Sequence, residues 1–182
     1  WSKTDMSNLR LINETTASNV ANVSITDVFT ADFDIYKITL TDYDNLGSSN
    51  GLNFRFVNAS GSIITASDYQ YVQLFLRSYA AYSTVQSTGD SIFRLITGSE
   101  DDYGGNAVVW VFNPTNTSSY TYILSQMSRG YDLGNDNGFD YNSNKNIGVL
   151  EDTNSMTGFH ILNNTTVSAD YTARTYGLRV DS

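Results

Sequence analysis

Residues 168–180, SADYTARTYGLRV, decide the fold class. Tyr176, Leu178 and Val180 alternate with Gly177, Arg179 and Asp181, the period of two that marks a half-buried strand. The short run GFHIL (158–162) stands just before this stretch and has the same extended character. The pattern predicts a chain that ends on a strand closing a sheet, not on a frayed tail.

The same period recurs toward the N-terminus. Val23 and Ile25 alternate with polar neighbours in ANVSITDVF, the expected first strand. In FDIYKITLTDYD, Tyr36, Ile38 and Leu40 share one face; in LNFRFV, Leu52, Phe54 and Phe56 do. Asn58–Gly61 (NASG) has turn chemistry, because Asn and Gly accept positive φ at little cost. The stretch 69–85, YQYVQLFLRSYAAYSTV, carries two patterns. Val72, Leu76 and Tyr79 fit helical spacing, but Val72, Leu74 and Leu76 also alternate with Tyr71, Gln73, Phe75 and Arg77, and no N-cap precedes them, so the reading is a strand. A turn at STGD (87–90) leads to SIFRLIT, and GSEDDYGGN (98–106) reads as an acidic turn. AVVWVF (107–112) is apolar throughout and belongs in a sheet interior, with both faces covered, until Asn113-Pro114 breaks it. SYTYILSQMSRG places Tyr120, Tyr122 and Leu124 opposite Thr121, Ile123 and Ser125, and 131–146 is rich enough in Gly, Asn and Asp to read as a long exposed loop. About ten strands at this spacing predict an all-β chain, an antiparallel β-sandwich of jelly-roll type. The expected core joins Val108, Trp110 and Phe112 to Leu52, Phe54 and Phe56. One domain over 1–182 is expected, with 1–10 as an N-terminal arm.

Composition narrows the setting. The 182 residues carry 19 acids against 10 Lys and Arg, a net charge of −9, and the basic residues are scattered, which argues against nucleic acid as a partner. Cysteine is absent, so disulfides, thiolate metal sites and cysteine nucleophiles are excluded. No apolar run reaches the roughly 18 residues of a membrane span, so no membrane insertion is expected. The first ten residues lack a signal-peptide core, and a start at Trp1 suggests a processed or excised piece of something longer.

No catalytic constellation stands out. His160 is the single histidine, and alternation turns it away from Phe159 and Ile161; no G-x-S-x-G motif accompanies it. Glu100, Asp101 and Asp102, or Asp132, Asp136 and Asp140, offer oxygens of the kind Ca²⁺ takes, but neither cluster matches an EF-hand loop. The expectation is no metal and no cofactor, with Ca²⁺ the one alternative, and no enzyme activity. Sequons at Asn13, Asn22, Asn58, Asn116, Asn163 and Asn164 arise by chance in an Asn-, Ser- and Thr-rich chain. Aromatic residues in polar loops are the better binding candidates: Tyr131, Phe139 and Tyr141, with Tyr103 and the nearby Asp132, Asp136 and Asp140. They are expected to touch a neighbouring subunit ahead of a ligand.

The order of segments resembles a known group. ETTASNVANVSITDVFTADFDIYKITLTDYD (14–44) carries a D-x-Y-K-I-x-L strand; LNFRF, AVVWVFNP and a polar NPTNTSSY follow, and TGFHILNNTTVSADYTARTYGLRV ends it in a Y-G-L-R strand. This resembles β-sandwich structural proteins of tailed bacteriophages, especially those of marine and cyanobacterial hosts, found as tail-fibre, tail-tip or capsid-surface modules. The resemblance spans roughly residues 11 to 180. It implies a place on the outer surface of a capsid or tail, homo-oligomers that are usually trimers, contacts with other virion proteins, and no catalysis. The leading expectation is an outward-facing fibre or tail module for host attachment, touching cell-surface glycan. The alternatives are a capsid decoration (cement) protein and a cellular carbohydrate-binding module. Attachment predicts aromatic loop tips gathered at one end, whereas decoration predicts a broad flat contact patch on a sandwich face.

Overall fold

The computed structural model describes residues 8–46, 51–78, 80–96, 102–132, 139–163 and 168–179. All regular structure among them is strand. In chain order these are β1 (Leu9–Val20), β2 (Asn22–Ile25), β3 (Ile35–Asn45), β4 (Leu52–Asn58), β5 (Tyr69–Arg77), β6 (Ser83–Asp90), β7 (Phe93–Ile96), β8 (Asp102–Phe112), β9 (Thr121–Asp132), β10 (Phe139–Leu150), β11 (Met156–Asn163) and β12 (Ala169–Leu178). Every ladder is antiparallel.

Two sheets result, an eight-stranded one in the order β1-β12-β3-β8-β9-β10-β5-β6 and a four-stranded one in the order β2-β11-β4-β7. With the hairpins β5–β6 and β9–β10 set aside, the other strands, counted in sequence, pair as 1-8-3-6 and 2-7-4-5. That is the jelly roll, a double Greek key. The two extra hairpins join end to end and widen only the first sheet. The strand reading of 69–77 holds, and no helix forms there.

Several local expectations give way. β1 was missed because LRLINETTASNV buries little beyond Ala17 and shows no apolar alternation; its first residues, Leu9 and Arg10, belong to the ladder and not to an arm. STGD continues β6, and the turn falls at the two residues after Asp90. The expected last strand, β12, is present and lies within the wide sheet, between β1 and β3.

The core lies between the sheets, and both supply its aromatic side chains: Phe54, Phe56, Phe93 and Phe159 from the four-stranded sheet, and Tyr36, Tyr43, Tyr69, Tyr71 and Tyr171 from the wide one. Phe54 and Phe159 stack at 5.3 Å, Phe56 lies edge-on to Phe54 at 5.0 Å, and Phe56 stacks on Tyr69 of the opposite sheet at 6.4 Å. Phe93 meets Tyr71 at 5.9 Å. Sandwich layers stand about 10 Å apart, so large rings on one side require small residues facing them. β8 therefore turns Ala107, Val109 and Val111 inward and leaves Val108, Trp110 and Phe112 half-buried on the outer face. This reverses the expected phase of the all-apolar AVVWVF run, whose two faces look alike in sequence. In β12 the buried face is Ala169, Tyr171, Ala173, Thr175 and Gly177, with Tyr176 and Leu178 outside. Phe33 explains the choice: a Cβ added at Gly177 would sit 2.4 Å from its ring. Phe93 lies as close to Gly148 of β10.

Hydrogen bonds tie the layers where the core is polar. The buried Tyr69 hydroxyl accepts from the Phe56 N–H (2.9 Å) and donates to the Ile64 carbonyl (3.1 Å), and burial pushes its pKa well up. Asn146 of β10 donates to the carbonyls of Arg94 (3.1 Å) and Leu95 (3.3 Å), capping the free edge of β7.

Phe54→Ala should cost about 3–5 kcal/mol through lost transfer energy and a cavity. Tyr69→Phe should cost about 1–3 kcal/mol, because the Phe56 N–H is left buried without its acceptor. Urea unfolding checks both, and a Tyr69→Phe variant as stable as the parent would remove that bond from the account.

Candidate functional site

Of the stretch 131–146 read as a loop, residues 131–132 and 139–146 are paired strand, and 133–138 lie outside the described residues. β9 runs to Asp132 and β10 starts at Phe139, pairing Phe139 with Asp132, Asp140 with Tyr131, and Tyr141 with Gly130. Tyr141 is 67% exposed at this end of the sheet. Asp136 lies outside the described residues, as do Glu100 and Asp101; Asp102 and Tyr103 open β8, with Asp102 opposite Tyr131. Among the described residues no three His, Asp or Glu side chains gather as metal ligands would. The Asn-rich composition misled because Asn142, Asn144 and Asn146 point inward and are buried. Ladder pairing and amide hydrogen bonds override their low strand propensity.

The outer face of the eight-stranded sheet is the surface that sequence reasoning did not foresee. One row of side chains crosses it as Leu9, Leu178, Ile35, Phe112, Tyr122 and Val149. The next row crosses as Leu11, Tyr176, Lys37, Trp110, Leu124, Ile147 and Val72. Neither row holds an acid, in a chain of net charge −9. Ile147 is 62% exposed and Tyr122 49%. The Lys37 ammonium lies 5.7 Å from the centre of the Trp110 ring.

Below these rows the same face turns polar. A trough of about 520 Å³ is lined by Trp110, Leu124, Val108, Gln126, Asn106, Ser128 and Lys145. A second hollow of about 350 Å³ adjoins it, sharing Asn106 and Ser128 and adding Asp42, Gly104, Gly105, Arg129, Gly130 and Tyr141. Gly104, Gly105 and Gly130 are part of its lining. Gly104 holds a φ of 77°, a conformation glycine adopts freely. The backbone beneath Tyr141 is fixed to Ser78 by two bonds, its N–H to Oγ at 3.0 Å and its carbonyl to the Ser78 N–H at 3.1 Å.

His160 sits elsewhere, on the four-stranded sheet, opposite Ser24 and Arg55 in the ladders. Its Nδ1 is 2.8 Å from the Ser24 hydroxyl. Burial first, and then the Arg55 charge, hold its pKa below the ordinary value. In a catalytic triad a carboxylate stabilises the imidazolium. Here the charged neighbour is a guanidinium, which does the opposite.

No protein family matches the chain. No curated protein matches it. Among solved structures, the infectious bursal disease virus VP2 subviral particle is similar at 10% identity, covering 95% of this chain and 42% of that one with a TM-score of 0.21. The T13 infectious bursal disease virus particle gives 12% identity, 96% and 40% coverage, and a TM-score of 0.18. An aerolysin-like protein of Bombina maxima gives 10%, 86% and 91%, with a TM-score of 0.11. This chain spans about two-fifths of the length of those virus proteins. At such scores the fold assignment rests on the strand order alone.

The environment of His160 predicts a pH dependence. Its pKa is depressed on folding, so the unfolded chain binds the proton more readily. Stability is then full above the unfolded value of about 6.5 and falls as pH drops through the folded value. Urea midpoints of parent and His160→Gln, compared at about pH 7.5 and about pH 5, should diverge. The parent should lose more on acidification; parallel losses would contradict the assignment.

Proposed function

We propose that this chain is a non-enzymatic structural module of a tailed-phage particle, held against another shell subunit by the apolar half of its eight-stranded sheet. The supporting observation is the acid-free double row on that face. With strands about 4.8 Å apart and side-chain rows about 6.8 Å apart, it measures roughly 34 by 14 Å, or about 480 Å². On one side a row carrying Glu14, Arg174, Gln126 and Lys145 rims it. An exposed patch of this size on a soluble chain marks a contact surface.

A jelly roll by itself carries no function. The virion setting comes from the order of sequence segments, and the mode of contact comes from the flat face. Breadth and flatness favour the decoration role over attachment through loop tips, since a shell-stabilising module needs area more than reach. Absence of acid in these two rows also lowers repulsion for an acidic chain as it docks.

Tyr122→Ser combined with Ile147→Ser should leave the melting temperature nearly unchanged, since surface substitutions usually fall within about 0.5 kcal/mol. The double variant should lose binding to particles stripped of the module, measured by co-sedimentation. Retained binding, or an image reconstruction that leaves this face in solvent, would overturn the proposal.

A further inference from the structure

We infer that the polar half of the same face is a binding groove for an extended oligosaccharide bearing a carboxylate. The groove joins the trough and the hollow described above, and it runs along β8 and β9 through the Asn106 and Ser128 they share. From the Trp110 row to the Tyr141 row is three steps of two residues, roughly 20 Å. An aromatic ring stands at each end. Between them lie Gln126, Asn106 and Ser128, side chains that donate to and accept from hydroxyls.

The order of groups suits a sugar chain better than a peptide or a nucleic acid. A peptide would seek a free strand edge, and β8 and β9 are both paired on each side. Nucleic acid would need a basic track, and the chain is strongly acidic. Rings with amides and hydroxyls between them, on a rigid sheet, match a ligand that has both apolar faces and many hydroxyls. Lys145 sits beside Gln126 in the ladder, at the middle of the groove, and supplies the cation for the carboxylate. The site is preorganised: Asn106 Oδ1 accepts from the Asp42 N–H at 3.4 Å, and Ser78 fixes the backbone under Tyr141.

Trp110 and Leu124 belong to both surfaces, so the inference concerns the free module, whose face is not covered. Its test is an array of neutral and uronate-bearing polysaccharide fragments, followed by calorimetric titration of the strongest fragment. Binding of uronate-bearing fragments is expected. Tyr141→Ala and Gln126→Ala should each weaken it about tenfold, the equivalent of about 1.4 kcal/mol, with unchanged melting curves. Lys145→Met should erase the preference for uronate over neutral fragments, and Tyr122→Ser, outside the groove, should leave binding intact. An array with no fragment bound above the level of a Tyr141→Ala, Gln126→Ala double variant would overturn the inference. Binding that survives both single substitutions would do the same.

Discussion

The structure depends on how aromatic rings fill the gap between two sheets. The four-stranded sheet contributes Phe54, Phe56, Phe93 and Phe159 to one side of the core, and Phe29 and Phe33 enter from the segment before β3. The wide sheet answers with rings of its own, Tyr36, Tyr43, Tyr69, Tyr71 and Tyr171, and with small residues where a phenylalanine ring presses closest. Val109, Val111, Ala173, Gly177 and Gly148 supply them from the wide sheet. Since strand side chains alternate, that choice sends Trp110, Phe112, Tyr176 and Leu178 to the other face. The apolar outer surface follows from the packing of the inner one.

This constraint also explains what the sequence could and could not disclose. Alternation in β3 and β4 is clean, and Tyr36, Ile38, Leu40, Leu52, Phe54 and Phe56 are buried as read. The all-β class and the jelly-roll type were legible from such segments. Phase was not legible where both faces are apolar, as in AVVWVF, because burial there is set by what stands across the gap. Two further strands hid for other reasons. β1 is a polar edge strand, and the end of β9 with the start of β10 is written in Gly, Asn and Asp, which local propensity assigns to loops. Of the aromatic residues singled out in that stretch, Tyr141 is exposed beside a hollow. The hollow itself could not be foreseen, because it gathers Asp42, Gly104 to Asn106, Ser128 to Gly130 and Tyr141 from four strands.

The wide sheet thus carries two surfaces of different character on one face. Its apolar half is broad and free of acid, the properties of a surface that packs against protein. Its polar half is grooved and bounded by Trp110 and Tyr141. The extra hairpins extend this face, for they double the wide sheet from four strands to eight, and Leu124, Gln126, Lys145 and Ile147 all come from them. A bare eight-strand jelly roll would end at β8, keeping the part of the apolar rows on β1, β12, β3 and β8 and losing the groove.

The phase of β8 is the hinge of the account, and Trp110 reports it directly. In a Trp1→Phe variant, Trp110 is the sole tryptophan, so acrylamide quenching of its fluorescence measures whether the ring reaches water. The account predicts clear quenching in the isolated chain, with Trp110 on the outer face and Val109 and Val111 inside. A blue-shifted emission that acrylamide fails to quench would place Trp110 in the core and contradict the outer face from which both functional readings are built.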